Sequence, residues 1–362
     1  VVLLTGFLGS GKTTLLGRIL ALPDLSDAAV LINEYGEVGL DHHLVRHIDE
    51  NIVLLANGCI CCTVRDDLGA AIRDLLARRE RREVAPFARI VIETTGLADP
   101  TPILHTLATD PQLRNALDIA AVVTTVDAVN GARQLAEHDQ SGKQAAMADH
   151  VVITKTDLAP AADVTALAAT LRRLNPSATI STADAIDPAQ LVRSSGYRPG
   201  RDPEAIRKWM NAAAYRVTAG SAHDTSIAAF VIELDEAIEW SAFAVWFTML
   251  LHRHGSDILR VKGMLNVRGA RGPVVVHGVQ HLIHQPMHLD AWPEADQRSR
   301  IVFITRGIGG ELLERSLATF NRATLRLAGK PERSGLRVAS ATVGAEVGGR
   351  PYRRRGGLAW QK

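Results

Sequence analysis

Eight residues near the start of the chain, Gly6-Phe7-Leu8-Gly9-Ser10-Gly11-Lys12-Thr13, have the composition of a polyphosphate cradle. They match the spacing G-x4-G-K-S/T, the P-loop, in full. Gly6, Gly9 and Gly11 let backbone N–H groups turn inward onto phosphate oxygens, and a following helix adds the positive end of its dipole. Lys12 can reach the β- and γ-phosphates, and the Thr13 hydroxyl can ligate Mg²⁺. Ser10 and Thr14 complete the nucleotide-binding set at this end.

Two carboxylates extend the same chemistry. Glu93 ends the apolar run Ile90-Val91-Ile92 and leads into Thr94-Thr95-Gly96. At the tip of a strand beside a phosphate cradle it can hold a Mg²⁺-bound water or orient an attacking one. Alone it is equally an ordinary strand-end acid. The second is Asp157, in Thr154-Lys155-Thr156-Asp157. A fixed carboxylate accepts two hydrogen bonds from the N1–H and exocyclic amine of guanine, whereas adenine leaves it unpaired. The stem of Lys155 can cover the base plane. With Lys12 and Glu93 as the catalytic candidates, the bound nucleotide is expected to be GTP. No arginine is placed by these motifs near the γ-phosphate, so intrinsic hydrolysis is expected to be slow.

The third constellation is Asn57-Gly58-Cys59-Ile60-Cys61-Cys62, which holds all three cysteines of the chain. Soft thiolates favour Zn²⁺ or Cu⁺, and three of them leave one tetrahedral position for water, a carboxylate, a histidine or a partner's ligand. Buried small side chains or a redox pair are the alternatives, although adjacent Cys61 and Cys62 are poorly placed for an unstrained disulfide. The thiols lie between Asn33-Glu34-Tyr35-Gly36-Glu37 and Glu93. The first of these segments follows a strand, where a loop sensing the γ-phosphate would sit, so nucleotide state can bias metal affinity. Glu34, Glu37 and Asp41 are its carboxylates.

Positioning these groups requires strands ending at one edge. Apolar runs at Val1–Thr5, Ala28–Asn33, Ile52–Ala56, Arg89–Glu93, Ile119–Val126, Val151–Thr154 and Thr179–Ser181 alternate with helical patterns such as Leu68–Arg82 and Val164–Leu174. That alternation predicts an α/β fold: a P-loop, doubly wound, mostly parallel sheet. Four segments are expected: a nucleotide domain over 1–195, a linker over 196–224, a smaller C-terminal α+β domain over 225–321, and a basic, flexible tail over 322–362. In the second domain the spacing predicts strands at Ser226–Leu234, Ile258–Val267, Pro273–Ile283 and Ser299–Thr305. Helices are predicted at Ile238–His254 and Gly310–Phe320. Trp240, Phe243, Trp246, Phe247 and Leu250 have core spacing.

Composition narrows the classes. With 362 residues, the chain is long enough for two domains. No apolar run reaches the roughly 20 residues of a membrane span. The tail holds ten Lys/Arg against two acids, so the remaining chain is net acidic despite an overall charge of +2. The Arg353-Arg354-Arg355 cluster reads as a solvated end, and nucleic acid is not an expected partner. Three clustered cysteines are no disulfide framework and suit a reducing cytoplasm. The chain opens at Val1 inside an apolar run, which reads as a trimmed start, and a secretory leader is not expected. His277, His281, His284 and His288 follow Val274-Val275-Val276. On one strand, residues four apart lie about 13 Å from each other, too far to share an ion. His42, His43 and His47 read as solvated.

The P-loop, the N-E-Y-G-E segment, G-C-I-C-C, E-T-T-G and T-K-T-D together resemble the CobW-type P-loop GTPases in order and spacing. Arg260-Val261-Lys262-Gly263 and His277-Gly278-Val279-Gln280 look like marks of that family's C-terminal domain. The resemblance implies Mg²⁺-GTP in the P-loop, Zn²⁺ or Co²⁺ at Cys59, Cys61 and Cys62 with Glu37 as a further ligand, and delivery of the metal to a client protein or cobalt-dependent pathway. Thr154 stands where GTPases in general carry Asn. The expected partners are GTP or GDP and a metal-requiring client, with self-association left open and no membrane. A metal-responsive GTP-binding sensor or reservoir is the main alternative, and a small-molecule kinase is a third, opposed by Asp157.

Overall fold

The computed structural model describes residues 1–22, 27–32, 52–54, 63–193, 227–327 and 336–337. Cys59, Cys61, Cys62, Glu34, Glu37, Asp41, His42, His43, His47 and the expected linker lie outside the described residues, as does most of the expected tail.

Seven strands, β1 (Val2–Gly6), β2 (Ala28–Ile32), β3 (Ile52–Leu54), β4 (Arg89–Glu93), β5 (Ala121–Asp127), β6 (His150–Thr154) and β7 (Thr179–Thr182), form one sheet in the order β3-β2-β4-β1-β5-β6-β7. Every pairing is parallel. Strands β1, β2, β4, β5 and β6 are buried along nearly their whole length because helices cover both faces, whereas the edge strand β7 is polar and partly exposed. On one face Leu3, Leu31, Ile92 and Val122 pack with α2 (Thr63–Glu80), α3 (Thr101–Thr109) and α4 (Pro111–Ala116). On the other face Leu4, Val30, Val91 and Val123 meet α1 (Lys12–Leu20) and α8 (Pro188–Arg193). Val126, Val151 and Ile153 pack with α5 (Gly131–Glu137), α6 (Asp139–Met147) and α7 (Ala161–Leu174).

Register brings the chemistry to one edge. Leu4 lies opposite Glu93, Gly6 opposite Thr125, and Asp127 opposite Thr154. The P-loop leaves β1 between β4 and β5, where the strand order reverses and α/β sheets bind ligands at their carboxyl ends.

The second sheet is antiparallel along β11-β10-β9-β13-β8-β14, with β12 also paired to β10. Its strands are β8 (Ile227–Leu234), β9 (Ile258–Leu265), β10 (Val274–Val279), β11 (Leu282–Ile283), β12 (Met287–His288), β13 (Ser299–Arg306) and β14 (Leu336–Arg337). Helices α9 (Trp240–His254) and α10 (Gly310–Leu327) bury Phe243, Trp246, Phe247, Leu313 and Leu317 on one of its faces. Trp246 satisfies its indole N–H with Ser316 Oγ at 2.9 Å, so the aromatic helix is a packing element.

Three expectations change. The helix predicted to stop near Phe320 runs to Leu327. Residues Leu336–Arg337, within the expected tail, pair with β8. The run Pro273–Ile283 is not one strand: Gln280 adopts a left-handed φ of 51° and the chain doubles back, pairing Val279 with Leu282. The extended spacing assumed for the histidines therefore fails across the turn. His284 donates its backbone N–H to His277 O at 3.1 Å, and the two rings stack at 4.1 Å, 8° from parallel. Among the described residues no three His, Cys, Asp or Glu side chains converge to hold a metal.

The two sheets share a core. Ala146 and Met147 of α6 pack in one apolar cluster with Ile227, Leu259, Val279 and Ile304. Inside that interface Asp149, 4% exposed, meets Arg260 and lies 3.6 Å from Lys262. Lys262 also donates to Ser177 O at 3.3 Å. Burial, then the neighbouring Arg260, outweigh Asp149 and pull the Lys262 ammonium from 10.5 down to about 7. Below about pH 7 both folded and unfolded chains carry this charge, and its burial is a full penalty. Between there and about 10.5 the unfolded chain binds the extra proton, so the penalty fades as pH rises. Chemical denaturation of the wild type and Lys262→Met across that range should show the stability difference moving toward the wild type with increasing pH. A constant difference would contradict the assignment.

Candidate functional site

The phosphate end is built by local chain geometry. Gly9 and Gly11 take left-handed φ values of 70° and 86°, which a side chain resists, and Gly11 becomes the N-cap of α1. At Gly6 (φ 144°) any Cβ would sit 2.3 Å from Thr125 Oγ1. The loop closes with Ser10 N–H donating to Phe7 O at 3.1 Å. Lys12 curls into its mouth, its Nζ donating to Gly6 O at 3.1 Å and Phe7 O at 3.2 Å. The ammonium is buried and held where phosphate charge would lie. Thr14, on the same first turn, is exposed.

Three tertiary contacts complete this end. Thr13 Oγ1 donates to Glu93 Oε1 at 2.7 Å, joining the residues expected to serve Mg²⁺ and water, 80 positions apart. Ser10 Oγ and Thr125 Oγ1 share a hydrogen bond of 2.7 Å. Thr94 Oγ1 donates to Thr5 Oγ1 at 2.9 Å and ties the strand end after Glu93 to β1.

The base end is organised around β6. Thr154 donates its hydroxyl to Ser10 O at 2.7 Å. The residue standing where GTPases in general carry Asn therefore braces the phosphate loop. Lys155 adopts a left-handed backbone (φ 55°, ψ 34°), uncommon for a non-glycine residue. Its Nζ pairs with Asp127 Oδ2 at 2.8 Å. Asp127 also accepts from Val129 N–H at 2.7 Å and from the Asn130 amide side chain at 3.2 Å. Burial opposes ionisation of Asp127, but the hydrogen bonds from Lys155, Asn130 and Val129 more than offset it and hold the carboxyl below its usual range. The lysine stem is thus anchored at its tip beside the turn Thr156–Leu158, which presents Asp157 to solvent. Thr156 Oγ1 donates to Asp184 Oδ1 at 3.2 Å, and Arg18 donates to Ala183 O, so the loop after β7 is tied both to this turn and to α1.

Sequence reasoning passed over Asp127, Thr125 and Asp184. The signal for Asp127 was present: like Glu93, it is an acid terminating an apolar strand. Thr125 and Asp184 carry no local mark, and register and loop closure alone bring them in.

A model of the CobW/HypB/UreG nucleotide-binding domain matches residues 1–182, and one of the cobalamin synthesis protein CobW C-terminal domain matches 227–321. The chain is 34% identical to zinc chaperone YjiA of Escherichia coli over 307 residues, 84% of this chain and 93% of that one. It is 36% identical over 182 residues to zinc-regulated GTPase metalloprotein activator 1 of Schizosaccharomyces pombe, 48% of this chain and 43% of that one. The crystal structure of Zn(II)-bound YjiA GTPase from E. coli superposes with a TM-score of 0.68 at 28% identity, covering 88% of this chain and 98% of that one.

Proposed function

This chain belongs to the CobW/HypB/UreG family, and on that premise we propose that it is a GTP-driven metallochaperone that carries Zn²⁺ on Cys59, Cys61 and Cys62 and passes it to a client protein. The chain is a GTPase. The observation that carries the reading is the Thr13–Glu93 pair beside the buried Lys12. A hydroxyl and a carboxylate at the phosphate end are hard oxygen donors of the kind Mg²⁺ takes. Thr13 and Glu93 are the residues that would hold it, and the ion would neutralise phosphate charge there. Lys12 binds and neutralises phosphate oxygens, Glu93 orients the attacking water, and Asp157 selects guanine while the anchored Lys155 covers the base.

The cargo site follows from donor chemistry. Three thiolates in four residues make a soft, three-coordinate set with one open position, suited to transfer rather than permanent structure. Zn²⁺ is the proposed cargo because the similar E. coli protein is a named zinc chaperone and because Zn²⁺ outcompetes Co²⁺ at such sites. Glu37 is the proposed additional ligand. GTP orders the Glu34–Glu37 segment and sets the thiol geometry, and hydrolysis releases it. Residues 1–195 are assigned the nucleotide chemistry and 225–321 the docking of the client, in the cytoplasm, where thiols stay reduced.

Chelator-competition titrations with GDP and with a non-hydrolysable GTP analogue test the coupling. Zn²⁺ affinity is expected to be about 5–150-fold tighter with the analogue. Combining Cys59→Ala, Cys61→Ala and Cys62→Ala should abolish both the tight site and the difference. Equal affinities in the two nucleotide states would leave a metal reservoir with incidental hydrolysis.

A further inference from the structure

Gln144 lies on α6, in neither the phosphate nor the base motif, and its side chain is fully buried. Its Nε2 donates to Gly96 O at 3.1 Å and to Ala98 O at 3.0 Å. Both partners are carbonyl oxygens, so the amide nitrogen must face them. These carbonyls belong to the loop between Glu93 and α3. The loop rests directly on the phosphate cradle: a Cβ at Gly96 would lie 2.6 Å from Leu8 N and 2.7 Å from Leu8 Cα. A single side chain therefore grips, at two points, the segment that leaves Glu93 and touches the P-loop.

The helix that bears it is held along its length. At its start the His138 ring stacks on Phe7 of the P-loop, with centroids 4.7 Å apart. Thr124 Oγ1 donates to Gln144 O at 2.8 Å. At its end Asn175 Nδ2 donates to the carbonyls of Ala145, Ala146 and Ala148 at 2.9–3.0 Å, and Arg260 donates to Met147 O. Gln144 thus references the 94–98 loop to a fixed element. It also leaves Oε1 buried without a hydrogen-bond partner among the described residues. A buried acceptor without a donor is a standing cost, and an apolar side chain of similar size would avoid it.

We propose that Gln144 is a positioning residue for GTP hydrolysis, holding the loop after Glu93 in register with the P-loop; this rests on the GTPase reading above. Displacing such a loop should slow chemistry without loosening the nucleotide diphosphate, whose contacts lie on the P-loop and after β6.

Single-turnover GTP hydrolysis, GDP affinity and thermal unfolding of the full chain test this with two variants. Gln144→Leu should lower kcat about 10–100-fold while GDP affinity stays within about twofold. In Gln144→Glu an ionised carboxylate would repel both carbonyls, whereas its protonated form donates to one of them. Burial raises the pKa of such a carboxyl, and the charged groups nearby, Asp99 and Lys143, are already paired at 3.7 Å. The rate of Gln144→Glu relative to wild type should therefore climb between about pH 8 and about pH 6, while that of Gln144→Leu stays flat. Should the leucine variant not fold, the pH ratio of the glutamate variant decides. Wild-type kcat in Gln144→Leu, parallel losses of kcat and GDP affinity, or a flat ratio in Gln144→Glu would overturn the proposal. A wild-type chain that failed to hydrolyse GTP would overturn the GTPase reading and this inference together.

Discussion

Lys12→Ala is expected to lower kcat/KM for GTP by at least about 10²–10³-fold, the scale for removing a preorganised charge from a developing anion. The ammonium needs no search to reach its target. It is buried in the mouth of the loop, held by Gly6 O and Phe7 O at 3.1 and 3.2 Å, and phosphate oxygens exchange for those carbonyls with little reorganisation. Alanine removes the charge but leaves Gly9 and Gly11 and the backbone N–H groups they orient, so GDP should still bind, more weakly. Lys12→Arg is not expected to rescue turnover, because a planar fork does not fit a nook shaped for a point charge. Phosphate-release assays and fluorescent-GDP titration check this. A Lys12→Ala rate within tenfold of wild type would remove Lys12 from the machinery.

Asp149→Ala is expected to destabilise the protein by about 3–5 kcal/mol, the cost of leaving buried charge uncompensated. Asp149 is the shared counter-ion of Arg260 and Lys262, all three being under 5% exposed, and its other oxygen accepts Val122 N–H at 3.0 Å. Burial works against its ionisation, yet Arg260, Lys262 and the Val122 N–H hold it below the usual carboxylate range. Without it, Arg260 loses its buried counter-ion at the interface between the sheets, and Lys262 loses the neighbour that supports its proton. Adding Lys262→Met to Asp149→Ala should recover part of the loss only at acidic pH, where Lys262 still carries a proton, and little of it above about pH 7. Urea unfolding followed by tryptophan fluorescence measures both. A loss below about 1 kcal/mol would mean that water or relaxation reaches the cluster.

Legibility in the sequence followed chain distance. The P-loop, Glu93 at the end of β4 and the T-K-T-D turn were readable because each is one strand end plus its turn, and glycines or a terminal acid mark it. All seven strands of the parallel sheet were legible in the sequence, and in β1, β2, β4, β5 and β6 burial on both faces leaves no polar alternation to confuse them. The hairpin at Gln280 was not, because no Gly or Asn marks that left-handed residue and apolar residues resume at Leu282 and Ile283. The His277–His284 stack was lost with it. Gln144 was invisible for a different reason: an isolated Gln in a helix signals nothing until the carbonyls of Gly96 and Ala98 arrive from another element.

What the sequence determined by itself is the phosphate-loop motif and the three thiols of the proposed cargo site. Eight contiguous residues dictate the inward turn of the loop, and three cysteines in four residues bring three soft sulfur donors together wherever the chain carries them. Tertiary structure alone decided which groups brace that chemistry: Thr154 on Ser10, Asp127 on Lys155, Gln144 on the loop after Glu93, and Asp149 between two cations of the second sheet. These pairs lie 28 to 144 positions apart. They form because parallel register brings every strand end to one edge and because the shared core seats the second sheet against α6. Local turn chemistry is encoded residue by residue, whereas these contacts exist only when burial of apolar surface has closed the loops between them.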